Sequence, residues 1–348
     1  MNNTFLMLAV RMRPGFGVSV VIEALSKRLI SRGFQVVVGC LEKEGDYDEL
    51  TVVEVEPTSE AIRELADIHK ACAVIAHTTP FFELLPTLHG IPTWAWEHGD
   101  PSPEFFMEDS EERKKIANAK RSNVYANVTG VIAISHFIKA DIGWPTAHVI
   151  HNGWEHVTLG GQPDIPEFFP GKMHERKLRV GTLLRMGVGE AYYKGIDVYL
   201  EMVRLAKQQV ENVEFFVMGR ATEEDALPFA EEGITVFRNA TDAERAAYLT
   251  GLDVFFSPSL WEGCNLPLVE AQAIGTVGLA LDIGAHPEHT PFCIPSISSA
   301  AKKIEMYSEN KGLAMRHGEL CKEFVTTRFS WDRSVDKFLE LVLPSVRF

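Results

Sequence analysis

Apolar positions in this chain come in blocks. "TFLMLAV", "QVVVGC", "ACAVIA", "PTWAW" and "GVIAIS" are short, nearly unbroken apolar runs, the pattern of strands buried on both faces of a parallel sheet. Between them, "VSVVIEALSKRLISRG" and "SEAIRELADIHK" carry apolar residues at helical spacing, and the first stops at Gly33. The alternation restarts at "LRVGTLL" and continues through "GIDVYLEMVRLAKQQ", "VEFFVMG", "ITVFRN", "DAERAAYLTGL", "DVFFSPS" and "VGLALD". Two α/β units are therefore expected, each a doubly wound parallel sheet. The intervening "HNGWEHVTLGGQPDIPEFFPGKMHERK" is rich in Gly, Pro and His without periodicity, which predicts the linker there. Open parallel sheets bind ligands at the carboxyl ends of their strands, so a cleft shared by the two units is the expected site.

Composition narrows the chemistry. A chain of 348 residues with 46% apolar content can bury two cores. A formal charge of -14 leaves no broad basic surface for a nucleic-acid backbone. The five cysteines are widely spaced and form no CxxC pair, so neither a disulfide framework nor a zinc site is indicated. No apolar stretch reaches membrane-spanning length and no secretory leader is visible, so a cytoplasmic protein without membrane association is expected.

The segment "PSLWEGCNLPLVEAQAIG", Pro258 to Gly275, concentrates the candidate chemistry. A strand ends before it, and Pro267 suits the first position of a helix expected to run to about Ile274 and to be stopped by Gly275. Leu266 has no side-chain oxygen to cap that helix, so the first-turn amides are expected to be open to an anion such as phosphate. Glu270 sits one turn in, where a second anion beside phosphate is repelled unless it accepts hydrogen bonds from hydroxyls. The alternative readings are a favourable charge at the positive helix end for Glu270 and a solvated loop acid for Glu262. Upstream, "VGTLLRMGVGEAYYKGIDVYL" brackets a Gly-rich loop with Arg185 and Lys194, a pair able to neutralise a diphosphate or simply two surface charges.

These stretches together resemble the retaining, GT-B-fold nucleotide-sugar glycosyltransferases of family 4 (glycosyl transferases group 1). Glu262 and Glu270 match that family's two glutamates with seven residues between them, and Arg185 and Lys194 match its diphosphate-binding cations. "VTGVIAISHFIKADI", "HNGWEH" and "RFSWDRSVDKFLEL" extend the likeness over most of the chain, with the firmest correspondence from Leu178 to Glu288. The resemblance implies an α/β GT-B fold of two Rossmann-like domains facing across a cleft. Residues 1–155 would bind the acceptor and 156–330 the nucleotide-sugar, with 331–348 a closing helix that packs back on the first domain.

By the same resemblance, Glu270 accepts from the donor's ribose, and Arg185 and Lys194 hold the diphosphate as the glycosidic bond breaks. The amides of Cys264, Asn265 and Leu266 contact phosphate and sugar, and Glu262 lies near the hexose. A hexose would pass with retention, a UDP-sugar being the favoured donor, to a carbohydrate, lipid-linked or small-molecule acceptor. In the first half, Gly17 lies in a Gly15-x-Gly17 turn where the family meets donor phosphates, and His98 stands where relatives carry a histidine near donor sugar and acceptor. A plain tight turn and a structural histidine are the competing readings; His77 is the poorer candidate. "EGCNLP" departs from the commoner "EGFGLP" at Cys264 and Asn265, which puts sugar recognition in question. Cys264 reads as a donor of its backbone amide ahead of a reactive thiol. The run Arg113 to Arg121 reads as a solvated helix face or a site for an acidic acceptor. No Asp-x-Asp motif asks for a metal and no cofactor is expected. A nicotinamide-dependent oxidoreductase and a non-catalytic nucleotide-sugar sensor are the alternatives. The former lacks a third glycine, with Val20 in its place.

Overall fold

The structure is a computed structural model that describes residues 3–47, 49–106, 109–156, 169, 176–187 and 191–346. Most of the linker segment and the tip of the Arg185–Lys194 loop lie outside the described residues. The chain forms two compact units, Met1–His156 with Phe329–Phe348, and Val157–Arg328.

The strands of the first unit are β1 (Thr4–Met12), β2 (Gln35–Lys43), β3 (Thr51–Glu54), β4 (Ala71–Ala76), β5 (Thr93–Glu97), β6 (Gly130–Ala133) and β7 (His148–Val149). They form a 7-stranded sheet in the order β3-β2-β1-β4-β5-β6-β7, with parallel pairing throughout. The continuous apolar runs are explained by burial on both faces: Phe5 to Ala9 and Ala73 to Ala76 are inaccessible to solvent. The chain order places the topological switch between β1 and β4, so their carboxyl ends open the crevice in which such sheets bind ligands.

The closing segment completes this unit. The helix Trp331–Val342 buries Trp331, Ser334, Val335, Phe338 and Val342, a single stripe at helical spacing. Phe338 packs at 5.1 Å from the ring of Phe5 and 5.7 Å from that of Trp96. Arg32, just past the helix Gly17–Ser31, holds the outer face through Asp336 at 2.6 Å and Asp332 at 3.2 Å.

The second unit contains β8 (Leu178–Leu183), β9 (Val213–Gly219), β10 (Thr235–Arg238), β11 (Val254–Ser257), β12 (Val277–Leu281) and β13 (Phe292–Ile294). This 6-stranded sheet runs β10-β9-β8-β11-β12-β13, again parallel, with its switch between β8 and β11. Its buried start is pinned by Asp253, which accepts from Arg176 at 2.6 and 3.0 Å and from the amide of Arg179 at 2.8 Å. One core joins β8, β9, β11 and β12 to the helices Ile196–Gln209 and Ile297–Glu309.

Two local expectations change. The helix after β11 runs Leu266–Ala273, one residue earlier than Pro267, and is capped: the Asn265 side chain accepts from the amide of Leu268 at 3.1 Å. The basic run is not a uniformly solvated face. Its first part lies on the helix Ser110–Ala119, but Lys120 opens a π-helical turn, Lys120–Val124, and is buried.

Candidate functional site

The residues singled out in the second unit gather at the carboxyl ends of β8 and β11. Arg185 follows β8 and is half-buried; Lys194 ends the short helix Ala191–Lys194. What draws that turn toward the β11 loop is Gly195, whose φ of 75° and missing Cβ let the carbonyl of Pro258 approach; a Cβ there would lie 2.0 Å from that oxygen. The amide of Leu260 then donates to the carbonyl of Tyr193 at 2.8 Å.

This contact delivers Lys194 to Glu262. The ammonium lies 2.7 Å from Glu262 Oε1, which also accepts from the hydroxyl of Ser259 at 3.0 Å. Glu262 is therefore not a solvated loop acid; it is buried. Burial works against the charge on Lys194, but the carboxylate of Glu262 and its hydrogen bond outweigh it and hold the lysine above its ordinary range, while the nearby Arg185 guanidinium pulls slightly down. Behind Glu262, Gly284 packs where a Cβ would fall 2.6 Å from the Glu262 carbonyl, and the amide of Ala285 donates to that carbonyl at 2.9 Å.

Asn265 is held by a proton-ordered chain. His286 Nδ1 faces the carbonyl of Leu281 at 2.8 Å, so that nitrogen carries the proton and Nε2 accepts from the hydroxyl of Ser257 at 2.9 Å. The Ser257 oxygen accepts in turn from Asn265 Nδ2 at 2.7 Å. Burial keeps His286 below the usual histidine range, partly offset by Glu262, which fits this neutral form. The Asn265 amide is thus oriented, its oxygen committed to capping. The cap takes the Leu268 amide, and Val269 donates to the Asn265 carbonyl at 3.2 Å. Of the helix start expected to be open, the Leu268 and Val269 amides are taken, and Pro267 has none. Cys264 and Leu266 are half-buried.

Glu270, one turn further, is buried, and Arg245 of the helix Asp242–Gly251 stands 3.7 Å from its Oε1. Sequence reading passed over Arg245. The signal was available: it occupies the stripe continued by Tyr248, Leu249 and Leu252, all buried, a place where an amphipathic helix normally carries an apolar residue.

In the first unit, Gly17 opens the helix after β1 and is exposed; a Cβ on it would meet nothing within 4 Å. The loop before it is fixed by Ser19, whose hydroxyl donates to the carbonyl of Arg11 at 3.2 Å and accepts from the amide of Arg13 at 3.0 Å. His98 follows β5, and its Nε2 lies 3.0 Å from Nδ1 of His77, the histidine ranked lower from sequence. His77 stacks on Trp96 at 5.4 Å. Burial drives His77 well below the usual histidine range, helped by His98, and brings His98 down to about 4 against the opposing pull of Asp100. Beside them Glu97 accepts from Tyr125 at 2.6 Å and pairs with Lys120 at 3.0 Å. Lys120 is desolvated, yet Glu97 and then Asp100 raise it above the ordinary lysine range.

Comparison with known proteins gives the family. Residues 180–310 match the family described as Glycosyl transferases group 1, and residues 16–156 match Glycosyltransferase Family 4. The chain belongs to the group 1, family 4 glycosyltransferases. Among solved structures this glycosyltransferase is similar to HepE of Anabaena in complex with UDP-glucose, with a TM-score of 0.77, 17% identity, and 99% of this chain and 100% of that one covered. It is similar also to sucrose-phosphate synthase of Thermosynechococcus elongatus, with a TM-score of 0.76, 15% identity and 99% of both chains covered. The catalytic domain of starch synthase IV of Arabidopsis thaliana, bound to ADP and acarbose, gives 0.72, 14% and 99% of both. These likenesses show the GT-B fold. A curated relative, an uncharacterized 41.2 kDa protein in the cps region of Klebsiella pneumoniae, is 24% identical over 248 residues, 68% of this chain and 67% of that protein. Among the described residues of the glycosyltransferase, no helix is long and apolar enough to cross a membrane.

Proposed function

We propose that this glycosyltransferase moves a hexose-type sugar, with retention, from a nucleoside diphosphate donor of which UDP-sugars are the favoured kind. One observation carries the reading. Lys194, with Arg185 close enough to perturb it, is fixed on buried Glu262 in the loop that leads through Cys264, Asn265 and Leu266 into the next helix. An ammonium has three donors. One goes to Glu262, leaving the others for a pyrophosphate whose negative charge relieves the repulsion between the two cations.

In this reading Arg185 and Lys194 hold the diphosphate and stabilise the charge that grows on it as the bond from the anomeric carbon to the phosphate oxygen breaks. The acceptor hydroxyl attacks the same face the diphosphate leaves, and its proton passes to the departing phosphate oxygen, so no carboxylate nucleophile is required. Glu262 accepts from hexose hydroxyls or stabilises positive character at the anomeric carbon. Glu270 accepts from the ribose. Gly17 is assigned to backbone contact with the donor phosphates and His98 to hydroxyls of sugar and acceptor. The acceptor is a carbohydrate, a lipid-linked saccharide or a small molecule. Charge neutralisation rests on the two cations, without a metal or cofactor, and the place of action is the cytoplasm.

The test is nucleotide release from UDP-glucose, UDP-N-acetylglucosamine, GDP-mannose and ADP-glucose, with the anomeric configuration of the product read by NMR. Release from a nucleotide-sugar that falls by orders of magnitude in Arg185→Ala, whose fold is intact, supports the assignment. Unchanged turnover in that variant removes Arg185 from the mechanism, and an inverted product removes same-face attack.

A further inference from the structure

His77 and His98 stand just past the ends of the adjacent strands β4 and β5, and the amide of His77 donates to the carbonyl of Leu8 in β1 at 2.8 Å. This is the end of the first sheet at which doubly wound folds take ligands. His98 has an assigned role there; His77, which is buried, has none. The pair leaves one ring nitrogen of His98 for a ligand. Nε2 lies 3.0 Å from His77 Nδ1 and is committed to it, while Nδ1 of the half-buried His98 makes no hydrogen bond among the described residues.

The direction of the shared bond follows from the far side of His77. Burial holds both rings below the usual histidine range, so at neutral pH each carries a single proton. Trp96 covers the face of the His77 ring at 5.4 Å, and His77 Nε2 is buried with no hydrogen-bond partner among the described residues. If His98 donated to His77, the His77 proton would sit on Nε2 as a buried N–H without an acceptor, the rarer kind of unpaired group in folded chains. With that proton on His77 Nδ1 instead, the bond runs to His98 Nε2 and only a bare ring nitrogen is left unpaired. His98 then accepts at Nε2 and carries its own proton on Nδ1.

We propose that His77 is a positioning residue for His98, fixing it as a hydrogen-bond donor that presents Nδ1–H to an oxygen of the substrate. This rests on the assignment of His98 to hydroxyls of sugar and acceptor and goes beyond it. Held in that form, His98 grips a hydroxyl through the oxygen's lone pairs and cannot draw a proton from the acceptor, in keeping with passage of that proton to the departing phosphate oxygen.

Proton–nitrogen correlation NMR of the full chain with isotope-labelled histidine, at neutral pH, tests the tautomer directly, the His98 signals being identified by their loss in His98→Ala. The couplings between ring nitrogens and ring protons should show His98 Nδ1 protonated and Nε2 bare; a proton on Nε2 overturns the proposal. Kinetics supply a second arm, with whichever of UDP-glucose, UDP-N-acetylglucosamine, GDP-mannose and ADP-glucose releases nucleotide fastest. His77→Leu should lower kcat/KM about tenfold, the effect of one hydrogen bond set wrongly. His77→Asn puts an amide N–H where Nδ1 stood and should recover most of that loss. Equal losses in the two variants, or losses that follow their urea midpoints, make His77 a packing residue and overturn the proposal. If His98→Ala turns over the nucleotide-sugar as fast as the wild type, the assignment of His98 to the substrate fails first, whatever tautomer the spectra show, and the proposal falls with it.

Discussion

Single side chains in the second unit are tied to one another more tightly than their spacing suggests. Lys194 and Glu262 each satisfy the other's buried charge, so stability and turnover must be separated when either is changed. Lys194→Met leaves the carboxylate unpaired, at a cost of roughly 3 kcal/mol, since removing one partner of a largely buried pair is the expensive case. It also lowers kcat by about 10²–10³ through loss of a fixed positive charge. Adding Glu262→Gln should recover much of the denaturation midpoint and none of the turnover; recovery of both would make the pair purely structural. The histidines of the first unit give a different kind of test. His98 is held near 4 and His77 well below its ordinary 6.5, so between about pH 6.5 and 4 the unfolded chain takes up protons there and the folded chain does not. Stability therefore falls as pH drops through that window, and the contribution of His98 levels off below it. Urea midpoints measured from pH 8 to 4 should show a shallower fall in His98→Gln; an unchanged slope would mean that His98 is not held neutral by its surroundings.

At the level of elements, the sites are made by loops whose geometry the strands and helices only prepare. The long apolar runs that became β1, β4, β5, β8, β9 and β12 were legible because burial on both faces leaves no polar interruption. The short edge strands β3, β7 and β13 were not, since two to four residues carry no period to read. The sequence puts the start of the Leu266–Ala273 helix one residue late because its cap is a tertiary construction: Asn265 is aimed by Ser257, eight residues upstream, and by His286, which opens the short helix His286–His289. Lys120 looks solvated in the sequence for a similar reason, its partner Glu97 lying on another element. Gly195 shows how much one such element junction controls. Alanine there must adopt a φ of 75°, which costs about 1–2 kcal/mol by itself, and its Cβ meets the Pro258 carbonyl. Gly195→Ala should therefore displace the Lys194 turn, lowering kcat/KM much more than it lowers the denaturation midpoint. Equal effects on the two would show that the turn is not where the donor is held.

On the scale of the whole molecule, the chain visits its first unit, builds the second from 157 to 328, and returns to finish the first with 329–348. The first core thus depends on its last helix, while the nucleotide readings, Gly17 apart, fall in the second. This separation can be measured. Phe338→Ala removes a fully buried ring from between Phe5 and Trp96 and should cost the first unit about 3–5 kcal/mol. A nucleoside diphosphate at a hundredfold its dissociation constant should add about 2.7 kcal/mol to whichever unit binds it, a rise of roughly 5–10 °C for a domain of this size. Differential scanning calorimetry of Phe338→Ala should then resolve a transition lowered by the substitution and insensitive to UDP, ADP or GDP, alongside a second that keeps its wild-type temperature and rises with the nucleotide that binds. NAD and NADP should move neither, because the glycine turn after β1 lacks the third glycine of a dinucleotide fingerprint. A nucleotide that raised only the transition weakened by Phe338→Ala would place the donor on the first unit and remove Arg185, Lys194, Glu262 and Glu270 from its recognition.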